Sequence, residues 1–384
     1  MWGGLTFLYT TPKISTLIKK IDKYIILKYL KTFFFTVLIF SMIAFIIDLS
    51  TQMENFLEEA CTLEEIVTDY YLPFIPWING LLFPLYALIS VIFFTSRMAY
   101  DSEIISILNA GVSFRRLMFP YILASLFIGS LHFLANHYVI PLGNKSKVDF
   151  EHKYLYKGEN RGRTRDVHLV LSRDTTNQTL TKAYVSMYDN RDTSVRQLVL
   201  ERFKDNKLKY RLKAGRANWI KPPNHWQLKD YEIRTFNEDA EEMIFGKRKT
   251  IDTTLNMFHD DFVLYENDKL TMTTPELRKA IKRERQRGVK TTKSFLIEIQ
   301  RRTAEPFTII IVTLIGMAIA SRKVRGGLGL HLALGVGLGA TYVFLSRFST
   351  TFATNQTLEP GIAVWIPNIL FTVILIFLIS KAQK

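Results

Sequence analysis

Between Lys31 and Leu49 this chain carries a single charge, Asp48, and apolar runs of that kind return five more times. About 18 or more apolar residues in succession make a helix long enough to cross a hydrocarbon core. The six runs are Tyr29–Leu49, Tyr70–Phe94, Leu117–Ile140, Phe295–Ala320, Leu328–Phe348 and Ile362–Ser380. Three precede a long charged middle and three follow it. The expected fold class is an α-helical membrane protein with six transmembrane helices, three plus three, around an inserted water-soluble domain.

The short loops orient these spans. Lys13, Lys19, Lys20 and Lys23 precede span one, and Arg97, Arg115 and Arg116 lie between spans two and three. Arg322, Lys323 and Arg325 follow span four, and Lys381 and Lys384 follow span six. The opposite loops carry Glu54, Glu58, Glu59, Glu64 and Glu65, or only Glu359. Basic short loops stay on the cytoplasmic side, so both termini are expected there and the insert outside. The long basic start, with no small-x-small cleavage site, reads as an uncleaved first span.

A net charge of +15 raises nucleic acid as a ligand, but a membrane protein carries basic residues first for topology. Residues 142–292 hold 32 Lys/Arg against 22 Asp/Glu, so about ten of the excess charges lie in the insert. An anionic lipid headgroup, an acidic partner and ordinary surface charge all remain open on composition. Cys61 is alone, so no intrachain disulfide forms.

The insert reads as β-rich. Val167–Ser172, Lys182–Tyr188, Val195–Phe203, Lys207–Lys213, Arg216–Lys221 and Trp226–Phe236 are strand-like, with turn residues between them such as Asp189-Asn190 and Pro222-Pro223. That spacing predicts an antiparallel sandwich or roll. Thr274-Pro275-Glu276 then starts a helix expected to run through Arg287 and stop at Gly288. Seven basic residues between Arg278 and Lys290 leave two readings open, a helix on the membrane surface or a solvated connector. The expected domains are 1–141 (spans one to three), 142–273 (the β domain) and 274–384 (connecting helix and spans four to six).

Catalytic motifs are missing from the sequence. No Gly-x-x-x-x-Gly-Lys-Ser/Thr and no Gly-x-Ser-x-Gly occurs, and the seven histidines lack metal-ligand spacing. His132 and His137 lie five apart, on different helix faces. With few ionisable groups in the spans, no proton relay is evident. The expectation is no enzyme, no cofactor and no metal, with energy supplied from outside the chain.

The loop between spans two and three carries the clearest pattern. In Asp101-Ser102-Glu103-Ile104-Ile105-Ser106-Ile107-Leu108-Asn109-Ala110-Gly111, Asp101 or Ser102 can cap a short helix and Gly111 can end it. Glu103 sits where the helix dipole favours a carboxylate, and Ile104, Ile107 and Leu108 share one face. Ser113 is placed to cap span three. Such a helix can dock into a groove on a cytoplasmic partner or simply turn the chain.

This segment resembles the cytoplasmic coupling segment of the LptF/LptG lipopolysaccharide-export permeases. Ile21-Asp22-Lys23-Tyr24-Ile25, Arg301-Arg302-x-x-x-Pro306, Arg322-x-x-Arg325-Gly326-Gly327 and Trp365-Ile366-Pro367-Asn368 are similar to further family motifs, over essentially the whole chain. The opening motif and the Pro360-Gly361…Pro367 ending resemble LptG slightly more than LptF. The resemblance implies a subunit of an ABC-type exporter in a Gram-negative inner membrane, multi-pass, with a periplasmic β-jellyroll. Its implied partners are a second LptF/LptG-type permease, a cytoplasmic LptB-like ATPase dimer, an LptC/LptA-like periplasmic bridge, and lipopolysaccharide, with no nucleic acid.

By the same resemblance, Ser102, Glu103, Ile104, Ile107, Leu108 and Gly111 are the expected ATPase-coupling residues. Glu103 would pair with a basic residue of the ATPase, and the three apolar residues would fill its groove. Phe45, Asp48, Gln52, Tyr342, Phe344 and Arg347 are the expected lipid-gate residues, between span one of one subunit and span five of the other. The family's basic residue near the outer end of span one is replaced here by Asp48, so Arg347 becomes the expected phosphate contact, or a divalent cation bridges. Gly335 and Gly339 give span five a small-xxx-small face for close helix contact. The competing class is a membrane-anchored scaffold whose outer β domain binds protein; a secondary transporter would need mid-membrane charged sites.

Overall fold

The computed structural model describes residues 19–382 except 59–60, 156–162, 175–176, 190–191, 222–223, 238–239, 258–267, 288–291, 323–326 and 355–357. Gly288, Lys290, Lys323, Arg325 and Gly326, among the expectations above, lie outside the described residues. The helices are α1 (Lys20–Glu58), α2 (Leu63–Glu65), α3 (Leu72–Tyr100), α4 (Glu103–Asn109), α5 (Phe114–Leu134) and α6 (Ile140–Phe150). After the sheet come α7 (Asp268–Thr271), α8 (Thr274–Arg287), α9 (Thr292–Ala320), α10 (Gly327–Thr354) and α11 (Pro360–Ala382). Each of the six apolar runs falls in a helix long and apolar enough to cross a membrane. Past span three the chain stays helical to Leu155, through π-helical turns at Ala135–Val139 and Glu151–Leu155.

The chain divides into two compact units. The first contains the chain up to Asp48, Ile78–Asn136 and everything from Arg301 on. Its core runs through Tyr29, Phe33, Tyr86, Val91, Phe94, Tyr121, Ile309 and Ile315, all buried. Tyr29 stacks on Phe94 at 5.3 Å, and Phe94 on Tyr121 at 5.4 Å. A Cβ on Gly335 would stand 2.3 Å from Ile92 Cδ1, and one on Gly339 2.8 Å from Leu85 Cδ1. The small-xxx-small face of span five is therefore spent on α3 of the same chain, while Gly337 faces open space.

The second unit contains Leu49–Trp77 and His137–Gln300. Its sheet consists of β1 (Arg163–Asp174), β2 (Thr179–Asp189), β3 (Ser194–Lys204), β4 (Lys207–Lys221), β5 (His225–Phe236) and β6 (Glu241–Thr254). All pairings are antiparallel between sequence neighbours, so the order is a six-stranded meander. One sheet fits a jellyroll-like domain rather than a sandwich of two sheets. Its buried face follows the register, with Ala183 opposite Leu200, Leu200 opposite Leu212, and Leu212 opposite Ile233. Trp226 closes this core and donates its indole N–H to the Met257 carbonyl at 3.0 Å.

Two strand expectations need correction. Lys207–Lys213 and Arg216–Lys221 form one strand, β4. The Ala214-Gly215 pair that suggests a break sits mid-strand, facing Asp230, whose φ is +52°. Glycine there admits a close cross-strand neighbour within one continuous strand. The sixth strand, β6, escapes the sequence pattern because it is an edge with nearly every residue exposed. An edge strand wet on both faces has no need of apolar alternation.

Candidate functional site

The turn between α3 and α5 is built by local backbone rules. Ser102 occupies the N-cap position of α4 in left-handed conformation, φ 62°, and its side chain does not cap. Its carbonyl instead accepts from the Ser106 amide and hydroxyl at 3.0 and 2.9 Å. Gly111, at φ 84°, ends the turn and donates its amide to the Leu108 carbonyl at 3.0 Å. The Ser113 hydroxyl accepts from the Arg116 amide at 3.3 Å and so caps α5, as expected.

The two faces of α4 differ in burial. Ile104 is fully buried in the first unit's core, and Ile107 and Leu108 pack against it. Ile104 is thus spent on the chain's own core, while Ile107 and Leu108 are partly exposed beside it. Ile105, Ser106 and Asn109 are the exposed side of the same helix. Glu103 already has intrachain partners. It accepts from Tyr24 Oη at 2.9 Å and from Lys28 Nζ at 3.2 Å, both on α1. The Lys28 ammonium also donates to Tyr24 Oη at 2.8 Å.

A second clamp joins the same elements. Arg116 at the start of α5 donates both guanidinium arms to Asp22 on α1, at 2.8 and 2.5 Å, and Asp22 is buried. Asp22 also accepts from the Lys19 amide at 2.8 Å, satisfying a free N–H at the start of α1. The planar fork of arginine matches a carboxylate in a way that lysine does not. Two carboxylates, Asp22 and Glu103, thus tie α1 to the α4–α5 turn.

The expected gate residues separate into two groups. Phe344 and Arg347 on α10 are exposed, with Phe344 stacked 5.9 Å from Phe348. Phe45 and Asp48 on α1 are half-buried; Gln52, in the second unit, accepts from Asn55 at 2.8 Å. Tyr342 is half-buried and hydrogen-bonded within the chain. Its hydroxyl lies 2.6 Å from Thr308 Oγ1 and donates to Asn368 Oδ1 at 3.0 Å, in a network joining α9, α10 and α11. Asn368 also donates to the Ala304 carbonyl at 3.0 Å. A hydroxyl inside an apolar bundle turns towards such partners, because lipid offers none.

One cluster was invisible to motif reasoning. His132 on α5, buried and stacked 5.0 Å from Phe83, lies 3.2 Å from Glu305 Oε2 on α9. Asn136 donates to the same oxygen at 2.7 Å, and Arg301 donates to Glu305 Oε1 at 2.6 Å. The usable signal is an ionisable residue inside each of two apolar runs, since such residues face the protein and find each other.

No curated protein matches the chain. The family model described as "Lipopolysaccharide export system permease LptF/LptG" matches residues 23–381, which takes in the six apolar runs, the Glu103 clamp and the whole sheet. The chain therefore belongs to the LptF/LptG family of lipopolysaccharide export permeases.

Proposed function

We propose that the chain is one permease half of an ABC-type exporter. It sits in the inner membrane with both termini cytoplasmic and its sheet periplasmic, and it withdraws lipopolysaccharide laterally and passes it to a periplasmic bridge protein. A second permease of the same family completes the pathway, and an LptB-like ATPase dimer drives it. The observation that carries this reading is the clamp from α4 to α1. A motor that moves α4 pulls Glu103 and, through Lys28 and Tyr24, pulls α1. Helix α1 exposes Phe35, Leu38, Met42, Ile46 and Ile47, and α10 exposes Val343, Phe344 and Phe348. These apolar faces suit a gate edge opposite the partner permease. Arg347, exposed among them, is the proposed phosphate contact, as its fork of donors suits that group.

In this reading the ATPase meets Ile105, Ser106 and Asn109, the outward side of α4. Reconstituting the permease pair with the ATPase tests it. Ile105→Asp should weaken association by at least about 30-fold, the cost of losing a packed interface anchor worth about 2 kcal/mol. Glu103→Gln should leave association intact but uncouple ATP hydrolysis from lipid release. Unchanged binding and export in well-inserted Ile105→Asp protein would overturn the coupling assignment.

A further inference from the structure

Helix α8 carries cations that neither the coupling nor the gate reading uses. Arg278, Lys282 and Arg285, at i, i+4 and i+7, form one stripe with Lys279 beside it, and all four are exposed. None of them makes an ion pair among the described residues. The side of the helix adjoining this stripe is apolar: Leu277 and Ile281 pack on Phe295 near the start of α9, with Met272, Leu296 and Ile299 around them. That contact seats α8 beside the first residues of α9, the helix that carries span four. Counting about 20 residues back from Ala320, for a core about 30 Å thick, puts the hydrocarbon boundary near Arg301. At about 1.5 Å per residue, Ile299 then lies about 3 Å and Phe295 about 9 Å beyond it, across a headgroup layer about 5–8 Å deep. The residues on which α8 packs therefore run from within the headgroup layer to just beyond it.

We propose that α8 is an interfacial helix whose Arg278, Lys279, Lys282 and Arg285 bind the phosphates of anionic phospholipids in the adjoining leaflet. A protein partner would call for apolar anchors between the charges, and the outward side of α8 offers none. The four cations are also spread along the helix without a concavity, as suits many headgroups in a plane rather than one ligand in a pocket. This goes beyond the export reading and depends on neither ATPase nor substrate.

The test uses the full chain with Cys61→Ser, a fluorophore on Pro275→Cys at the exposed first turn of α8, and headgroup-labelled quencher lipid. Proteoliposomes of phosphatidylcholine alone are compared with phosphatidylcholine plus phosphatidylglycerol. Quenching should be at least about twofold greater with the anionic lipid. The difference should vanish near 1 M salt, where the screening length falls to about 3 Å, and in the combined Arg278→Gln, Lys279→Gln, Lys282→Gln, Arg285→Gln variant. The charge-keeping pair Arg278→Lys, Arg285→Lys should retain it. Equal quenching in the two bilayers at low salt would overturn the proposal, and so would a difference that appears only when lipopolysaccharide is added. If the quadruple variant does not fold, the lipid and salt arms on the unaltered stripe still decide.

Discussion

Within the first unit, α3, α5 and α9 differ sharply from α1, α10 and α11. The most apolar stretch of α9 is 67% buried in the chain itself, against 11% for α1 and 17% for α10. The inner helices are joined by polar bonds and glycine contacts: His132 to Glu305, Thr95 to Tyr121 at 3.1 Å, and Gly129 against the Pro306 carbonyl. The outer helices spend their apolar side chains outward. Lipid tails are as apolar as leucine, so a bilayer exerts no hydrophobic drive to bring helices together. What fixes the inner helices must then be close packing and satisfied polar groups. Helices α1 and α10 are tied in at particular points, by the two carboxylate clamps, Tyr29 and the Tyr342 network, and otherwise leave their apolar stretches facing outward.

The sharpest way to break that comparison is to remove the inner carboxylate. Glu305→Ala takes the carboxylate from the buried His132 and Asn136 and one acceptor from Arg301, and leaving buried polar groups unsatisfied beside a lost charge costs about 3 kcal/mol. Thermal unfolding in detergent should show a large loss for Glu305→Ala and a smaller one for Glu305→Gln. Outward changes such as Phe35→Ala or Phe344→Ala should stay within about 0.5 kcal/mol of the parent. Equal melting of all four variants would mean that the inner and outer helices are held alike.

Two glycines on one helix give a tighter comparison. Gly335→Leu drives a side chain into Ile92, and overpacking of this kind costs about 1–3 kcal/mol. Gly337→Leu enters open space and should leave the isolated chain as stable as before. If Gly337→Leu instead prevents pairing with a second permease, the open side of α10 is a subunit contact. If both substitutions are harmless everywhere, span five does not pack on α3 as described.

These cases show which features the sequence exposes. The six spans were legible because an 18-residue apolar run has few alternatives in water or in lipid. The α4 helix was legible because Gly111 and Ser113 punctuate it with local backbone rules. Its direction was not. Ile104, Ile107 and Leu108 mark an apolar face whether the groove that receives them belongs to a partner or to this chain, and only packing decides. Tyr342 shows the same limit, since no local pattern tells that its hydroxyl meets Asn368 and Thr308 on two other helices. The Asp22–Arg116 clamp links residues 94 apart, a separation that no local pattern encodes. Strand β6 was lost because an exposed edge needs no period.

The Tyr342 network sharpens the comparison at the boundary between inner and outer helices. Tyr342→Phe keeps the ring against Phe371 and removes one hydroxyl, so about 1 kcal/mol should be lost. Asn368→Ala should lose more, because Thr308, Tyr342 and the Ala304 carbonyl all lose a partner. The two changes in combination should cost less than their sum, as expected for groups in one network. Full additivity would mean that α10 is not tied to α9 and α11 through this contact.

The smallest effect concerns the helix that leads into span four. Glu276 reaches back to the Thr273 amide at 2.7 Å and hydroxyl at 2.8 Å, making Thr273 the cap where Thr274 was expected. Thr274 is occupied elsewhere, its hydroxyl 2.8 Å from His137 Nδ1. The hydrogen bonds from Thr273 hold the Glu276 carboxyl below its ordinary pKa of 4.5, aided by Lys145 and Lys279. A carboxylate held down in the folded state adds stability that is fully present above 4.5 and is lost as pH falls through its depressed folded value. Glu276→Gln should therefore cost at most about 1 kcal/mol at neutral pH, in line with loss of a helix cap, and close to nothing once the parent carboxyl is protonated. Hydrogen exchange of the α8 amides, followed with pH in both proteins, reads this locally. A parent and variant that differ by the same amount at pH 7 and at pH 3 would show that the carboxylate charge contributes nothing to the cap.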